Sequence, residues 1–186
     1  MSIVANSAPL VSPRLFLPTP REDFHWYALY TRARHEKTVA GQLRLKCVDT
    51  FMPLISQTHR WSDRRKIIQA PLFPSYTFVR FSATPANCLE ILRTPGVVEI
   101  VGMGHRNIPI PDDQIEALRR VLAHNAPCGL FPFLRVGQRV RIRGGCLEGL
   151  EGLLVALKGE RSLVISIEPI QSSVAIRLQG YEVELI

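Results

Sequence analysis

The sequence predicts an α+β unit followed by a small all-β barrel, and three observations carry that prediction. Ala70 to Phe81 reads A-P-L-F-P-S-Y-T-F-V-R-F and alternates from Ser75 onward as a strand does. Asp112 to Ala123 sets Ile115, Leu118 and Leu122 in one stripe at helical spacing. From Arg139 onward the pattern becomes all-β, with about five short strands, as a small barrel requires. Tyr76, Phe78 and Arg80 fall on one face of the first strand, and Thr77, Val79 and Phe81 on the other. Both faces carry aromatics, so the second must meet another layer of the same domain or a partner. The residues alone leave both readings open.

Composition bounds the class. The chain has 186 residues, 46% of them apolar, enough for packed cores in one domain or two small ones. A net charge of +7 favours polyanionic partners, with ordinary solvated surface as the competing reading. The excess sits early, with 16 Lys and Arg against 10 Asp and Glu up to residue 133 and 7 against 6 from Leu134 onward. Cys47, Cys88, Cys128 and Cys146 lie far apart without a C-x-x-C pair, so reduced thiols in the cytoplasm are expected rather than a zinc site or disulfide framework. Pro9, Pro13, Pro18 and Pro20 interrupt any signal-peptide core, and no apolar run approaches a membrane span. Residues 1–24 are expected as a flexible tail. His25, His35, His59, His105 and His124 are scattered, no serine sits in a nucleophile elbow, and the C-terminal glycines lack the Lys-Ser/Thr of a phosphate-binding loop. The sequence therefore predicts a protein that is not an enzyme and needs no cofactor or metal.

The elements come in the following order along the chain. H-W-Y-A-L-Y-T, residues 25 to 31, forms a strand with Trp26, Ala28 and Tyr30 facing opposite to Tyr27 and Leu29. Arg34 to Lys46 forms a helix buried through Val39, Ala40 and Leu43, in which Gly41 is expected where the helix approaches the sheet closely. Residues 59 to 66, H-R-W-S-D-R-R-K, suit the tip of a long hairpin. Cys88 to Arg93 is a short helix stopped by Thr94-Pro95-Gly96, and Val97 to Val101 a strand. Pro111 suits the first position of the next helix, and Asp112, Asp113 and Glu116 complement its dipole. The expected division is a first domain over 25–123, a linker over 124–133 marked by Pro127, Gly129 and Pro132, and a barrel over 134–186.

W-Y-A-L-Y-T with its basic helix, then L-F-P-S-Y-T-F-V-R-F, then T-P-G-V-V, resembles the N-terminal domain of NusG-family transcription elongation factors. V-G-Q-R-V-R-I-R-G-G-C-L-E-G-L-E-G-L-L-V, from Val136, is similar to the KOW motif of the family, an SH3-like small barrel. T-R-A-R-H-E-K, R-W-S-D-R and L-F-P bring the chain nearer to the specialised RfaH-like and UpxY-like antiterminators than to housekeeping NusG. Ser75 stands where the family commonly has glycine, and Cys146 and Leu147 where proline and phenylalanine are frequent.

The resemblance implies a monomeric factor that binds the clamp helices of RNA polymerase and suppresses pausing and termination at specific operons. The polymerase face would include Tyr30, Phe73, Pro74, Tyr76 and Phe78, for which core packing is the competing reading. Contacts to DNA or nascent RNA would fall on Arg32, Gln42, Lys46, Arg93 and Thr94, against a merely solvated helix face. The residues themselves add the hairpin-tip cluster Arg60, Arg64, Arg65 and Lys66, beside Trp61 for stacking. Ile167 and Ile170 would lie near a contact with ribosomal protein S10 or a termination factor, and Arg139, Arg141 and Arg143 either touch RNA or solubilise the barrel. Strand alternation over Leu163 to Ile167 favours a barrel over a helical hairpin in the last domain. The rival reading is an RNA-binding KOW module that acts without polymerase.

Overall fold

A computed structural model describes residues 24–60, 65–103, 106–134, 137–157 and 160–186. Most of the expected tail, residues 1–23, lies outside that range. The described chain is α+β. It opens with β1 (Phe24–Thr31), α1 (Glu36–Leu45), β2 (Asp49–Phe51), the ribbon β3 (Leu54–Arg60) and β4 (Arg65–Pro71), and β5 (Tyr76–Ser82). Next come α2 (Pro85–Leu92), β6 (Val97–Ile100), a short ribbon of β7 (Gly102–Met103) and β8 (Arg106–Asn107), and α3 (Asp112–Ala123). The last part is β9 (Cys128–Pro132), β10 (Gln138–Arg143), β11 (Glu151–Leu157), β12 (Glu160–Ile167), β13 (Ser172–Arg177) and β14 (Glu182–Leu185).

The first sheet is antiparallel with order β2-β5-β1-β6, and β5 pairs with β1 from Phe24↔Ser82 to Tyr30↔Tyr76. That register sorts the aromatics. Tyr27, Leu29, Val79 and Phe81 face α1 and α2, where Val39, Leu43 and Ile91 close a compact cluster. Trp26, Ala28 and Phe78 face the other way, into a cluster that includes Ile115, Leu118 and Val121 of α3. Each enclosed side chain of this size contributes about 1.5–3 kcal/mol. Phe78 on one face of β5 and Val79 and Phe81 on the other are thus covered from within the chain.

After β6 the chain meets the edge of β1 at Val101 and again at Ile110, whose N–H groups donate to the carbonyls of Ala28 and Trp26. Pro111 caps α3 rather than opening it, and Val121, not Leu122, completes the buried stripe with Ile115 and Leu118. The helix is rotated from the orientation that the sequence spacing implied, since it is buried on two sides. Its second side meets the C-terminal sheet: the same apolar cluster continues into Leu147, Leu150, Ile165 and Val174. The Arg120 guanidinium donates to the Glu148 carbonyl across the junction.

The C-terminal sheet has six antiparallel strands in the order β14-β10-β11-β12-β13-β9. Residues 124–133, expected as a linker, supply β9, which pairs with β13 from Pro132↔Ser172 to Cys128↔Ile176. Sequence period could not reveal it, because Pro127, Gly129 and Pro132 sit where edge strands tolerate them and β13 provides the pairing. Hydroxyls fasten the chain just beyond β9: Ser166 donates to the Leu134 carbonyl at 2.7 Å and the Leu134 N–H donates to Ser173 at 3.3 Å.

Two local features set the first unit's stability. Ser75 adopts φ +65°, a left-handed conformation that costs an L-residue roughly 1 kcal/mol or more. It is held there from both ends, since its N–H donates to the buried Glu36 carboxylate at 2.7 Å and its carbonyl accepts from the Thr31 N–H at 2.8 Å. Gly41 does not mark a close helix–sheet approach, because a Cβ built there meets nothing within 4 Å. Gly41→Ala is therefore expected to raise stability by about 0.5–1 kcal/mol in urea unfolding. Ser75→Gly should add up to about 1 kcal/mol by relieving φ, whereas Glu36→Ala should remove about 1–3 kcal/mol by orphaning the Ser75 amide.

Candidate functional site

The face of the first sheet under α3 is not covered along its whole length. Phe73 and Phe78 are enclosed at 1% and 0% exposure, with Phe78 edge-on to Phe73 at 5.7 Å and stacked with Phe51 at 6.1 Å. They are core residues that present no surface here, which corrects the expectation that they line a contact face. The physical reason is the turn at Ser75, which folds Leu72 and Phe73 back onto the sheet and leaves Pro74 exposed. One step further along the strands the cover ends. Tyr30 is 38% exposed, Tyr76 is half-buried, and their rings lie 5.5 Å apart at 52°.

Neighbouring charge conditions this edge. Tyr30 sits opposite Tyr76 on β5 and opposite Glu99 on β6, so the three occupy one row across the sheet. Burial first, then Tyr30 and Glu99, hold the Tyr76 phenol above its ordinary value, and it stays neutral around pH 7. Deeper on the same face, the Arg119 guanidinium lies over Trp26 at 4.9 Å and Phe51 at 5.3 Å while pairing with Glu116 at 2.7 Å.

The residues expected to touch nucleic acid divide. Arg32 and Arg93 are exposed, and Arg93 pairs loosely with Glu90 at 3.6 Å. Lys46 is engaged: its ammonium donates to the Glu90 carbonyl at 3.1 Å and to Thr94 Oγ1 at 2.9 Å. Thr94 is 1% exposed. Both close the C-terminal end of α2, where free carbonyls attract a cation, so neither is available as a surface contact. Gln42 is half-buried, with its Oε1 unpartnered among the described residues. In the hairpin, Arg64 and Trp61 fall outside the described residues, and for Arg60, Arg65 and Lys66 only the backbone pairings Arg60↔Arg65 and His59↔Lys66 are described.

In the C-terminal sheet Ile167 and Ile170 are buried at 0% and 5%, as core residues rather than a partner surface. Arg139, Arg141 and Arg143 form a ladder with acids on the flanking strands. Arg141 pairs with Glu151 at 2.5 Å and Glu184 at 3.5 Å, Arg139 approaches Glu151 at 3.9 Å, and Arg143 pairs with Glu184.

The family model described as NusG, transcription termination factor nusG, matches residues 24–119, from the first residue of β1 well into α3. The chain belongs to the NusG family. It is 23% identical over 181 residues to the transcription termination/antitermination protein NusG of Borreliella burgdorferi, covering 87% of this chain and 98% of that protein. It is 26% identical over 161 residues to the protein of the same name from Thermus thermophilus, covering 76% and 87%. A solved structure titled "Domain interaction in Thermotoga maritima NusG" shares the fold with a TM-score of 0.53 at 19% identity, over 83% of this chain and 93% of that one. Among the described residues no helix is long and apolar enough to cross a membrane.

Sequence reasoning missed Glu99 and Glu36. V-V-E-I puts Glu99 on a recognisable strand, yet its place opposite Tyr30 depends on the β1–β6 register. Glu36 read as one acid in a basic helix, and only the fold brings the Ser75 turn to it.

Phe78→Ala is expected to cost about 3–5 kcal/mol in urea unfolding, marking a core role. Lys46→Ala should cost about 1 kcal/mol through the lost helix-end contacts. Because the folded chain holds the Tyr76 phenol above 10.0, that contribution is complete below pH 10 and is lost as pH rises through the folded value. Alkaline titration of Tyr76→Phe, followed by circular dichroism, should accordingly give a higher unfolding midpoint than the parent.

Proposed function

We propose that this NusG-family chain is a transcription elongation and antitermination factor that docks on the clamp helices of RNA polymerase through Tyr30, Pro74 and Tyr76. The observation that carries this reading is the tyrosine pair left partly uncovered at the end of a sheet face whose Trp26, Ala28 and Phe78 are buried. Tyrosine suits such a place, since the ring is buried by a partner while the hydroxyl stays wet. Phe73 and Phe78 support that edge from beneath. Arg32 and Arg93 flank the same unit and would contact DNA or nascent RNA, with the hairpin-tip arginines as a second contact. A factor that binds the closed clamp preferentially shifts its equilibrium towards closure, which reduces pausing and termination without chemistry of its own.

The C-terminal sheet is read as a KOW-type small barrel that recruits ribosomal protein S10 or a termination factor, with Ile167 and Ile170 shaping it from within. The T-R-A-R-H-E-K and L-F-P stretches favour a specialised, operon-specific paralogue working as a monomer in the cytoplasm. The rival RNA-binding module is disfavoured by the ladder on β10, where Glu151 and Glu184 neutralise the arginines that RNA would need.

Purified protein is expected to bind core RNA polymerase, and a folded Tyr30→Ala, Tyr76→Ala double variant to lose that binding by at least about tenfold, as removal of two interface aromatics does. Failure of the parent to bind, with RNA binding retained, would favour the rival. Arg32→Ala and Arg93→Ala should each weaken nucleic-acid binding and flatten its salt dependence by about one phosphate contact.

A further inference from the structure

The exposed row is not purely aromatic. Across β5, β1 and β6 it runs Tyr76, Tyr30, Glu99, with each residue directly opposite the next. Glu99 is exposed, and among the described residues no Lys, Arg or His pairs with it. Asp49, Asp113, Glu148 and Glu182 also have no ion pair among the described residues, so what sets Glu99 apart is its place in the row with the tyrosines. An unpaired carboxylate opposite Tyr30, in one row with Tyr76, makes a local negative site on a chain of net charge +7.

The chemistry that fits such a site is cationic. Ring faces attract a cation within about 6 Å of the centroid, and a carboxylate alongside adds a charge-assisted hydrogen bond. A phosphate backbone would be repelled. Guanidinium suits the row better than ammonium, because its plane stacks on a ring while its edge pairs with a carboxylate. The molecule already holds one arginine this way on the same sheet face, where Arg119 lies over Trp26 and pairs with Glu116.

We infer that the Tyr76–Tyr30–Glu99 row receives an arginine side chain of the partner protein, stacked on tyrosine and paired with the Glu99 carboxylate. This rests on the reading of that edge as the polymerase-docking surface, and it makes Glu99 a specificity-determining residue that favours basic partner surfaces over acidic ones.

Two measurements on the full chain test it. The ring resonances of Tyr30 and Tyr76 are followed by NMR during titration with N-acetylarginine amide and with N-acetylcitrulline amide, its neutral isostere. In parallel, the parent and Glu99→Gln are bound to core RNA polymerase. The arginine probe is expected to shift both rings and the citrulline probe neither, with the shifts lost in Glu99→Gln. That variant should also bind polymerase about tenfold more weakly, as loss of a charge-assisted contact predicts. Equal response to both probes, no response to either, or undiminished polymerase binding by Glu99→Gln would overturn the inference. A parent that discriminates the probes but does not bind polymerase would instead sink the polymerase reading and leave the arginine site standing.

Discussion

The first unit is governed by the need to cover β5 twice. Phe81 and Val79 on one side and Phe78 on the other cannot all be buried by a single layer, so the chain must place helices on both faces of the sheet. α1 and α2 satisfy the first side at once, being adjacent in sequence to the strands they cover. The second side waits for α3, which reaches it because Val101 and Ile110 bring the chain to the edge of β1. That late return carries the C-terminal sheet into the same apolar cluster. The union of the two units through α3 is thus a consequence of how the central strand is patterned.

Where cover stops is as informative as where it succeeds. The turn at Ser75 sends Phe73 inward and leaves Pro74 outside, and it persists against its backbone strain because Glu36 and Thr31 grip both ends of the peptide. A strained turn with buried anchors is a means of aiming side chains. Here it fixes the edge at which Tyr76 meets Tyr30. The same face carries Arg119 over Trp26 and, at its rim, the partly exposed pair of Tyr30 and Tyr76.

Charge is distributed to match. The C-terminal arginines on β10 are matched by glutamates on β11 and β14, a cross-strand arrangement that stabilises the sheet and leaves little field outside it. In the first unit Arg32 and Arg93 remain exposed while Lys46 is committed to a helix end. Net positive charge alone therefore does not locate a nucleic-acid surface, since the number of cations matters less than how many are left without an internal partner.

The sequence by itself determined the α+β class, the strand over 75–81 with aromatics on two faces, the burial of Val39, Ala40 and Leu43, and the family, because period and motif are local properties that survive without a fold. It left open whether each aromatic was core or contact. Tertiary structure decided that Phe73, Phe78, Ile167 and Ile170 are inside and that Tyr30 and Tyr76 reach the surface, because exposure depends on which helix arrives and how far it extends. It also turned an aperiodic linker into β9, made Glu36 the anchor of the Ser75 turn, and set Glu99 in one row with Tyr30 and Tyr76. Those roles arise from strand register and long-range pairing, which no window of neighbouring residues encodes.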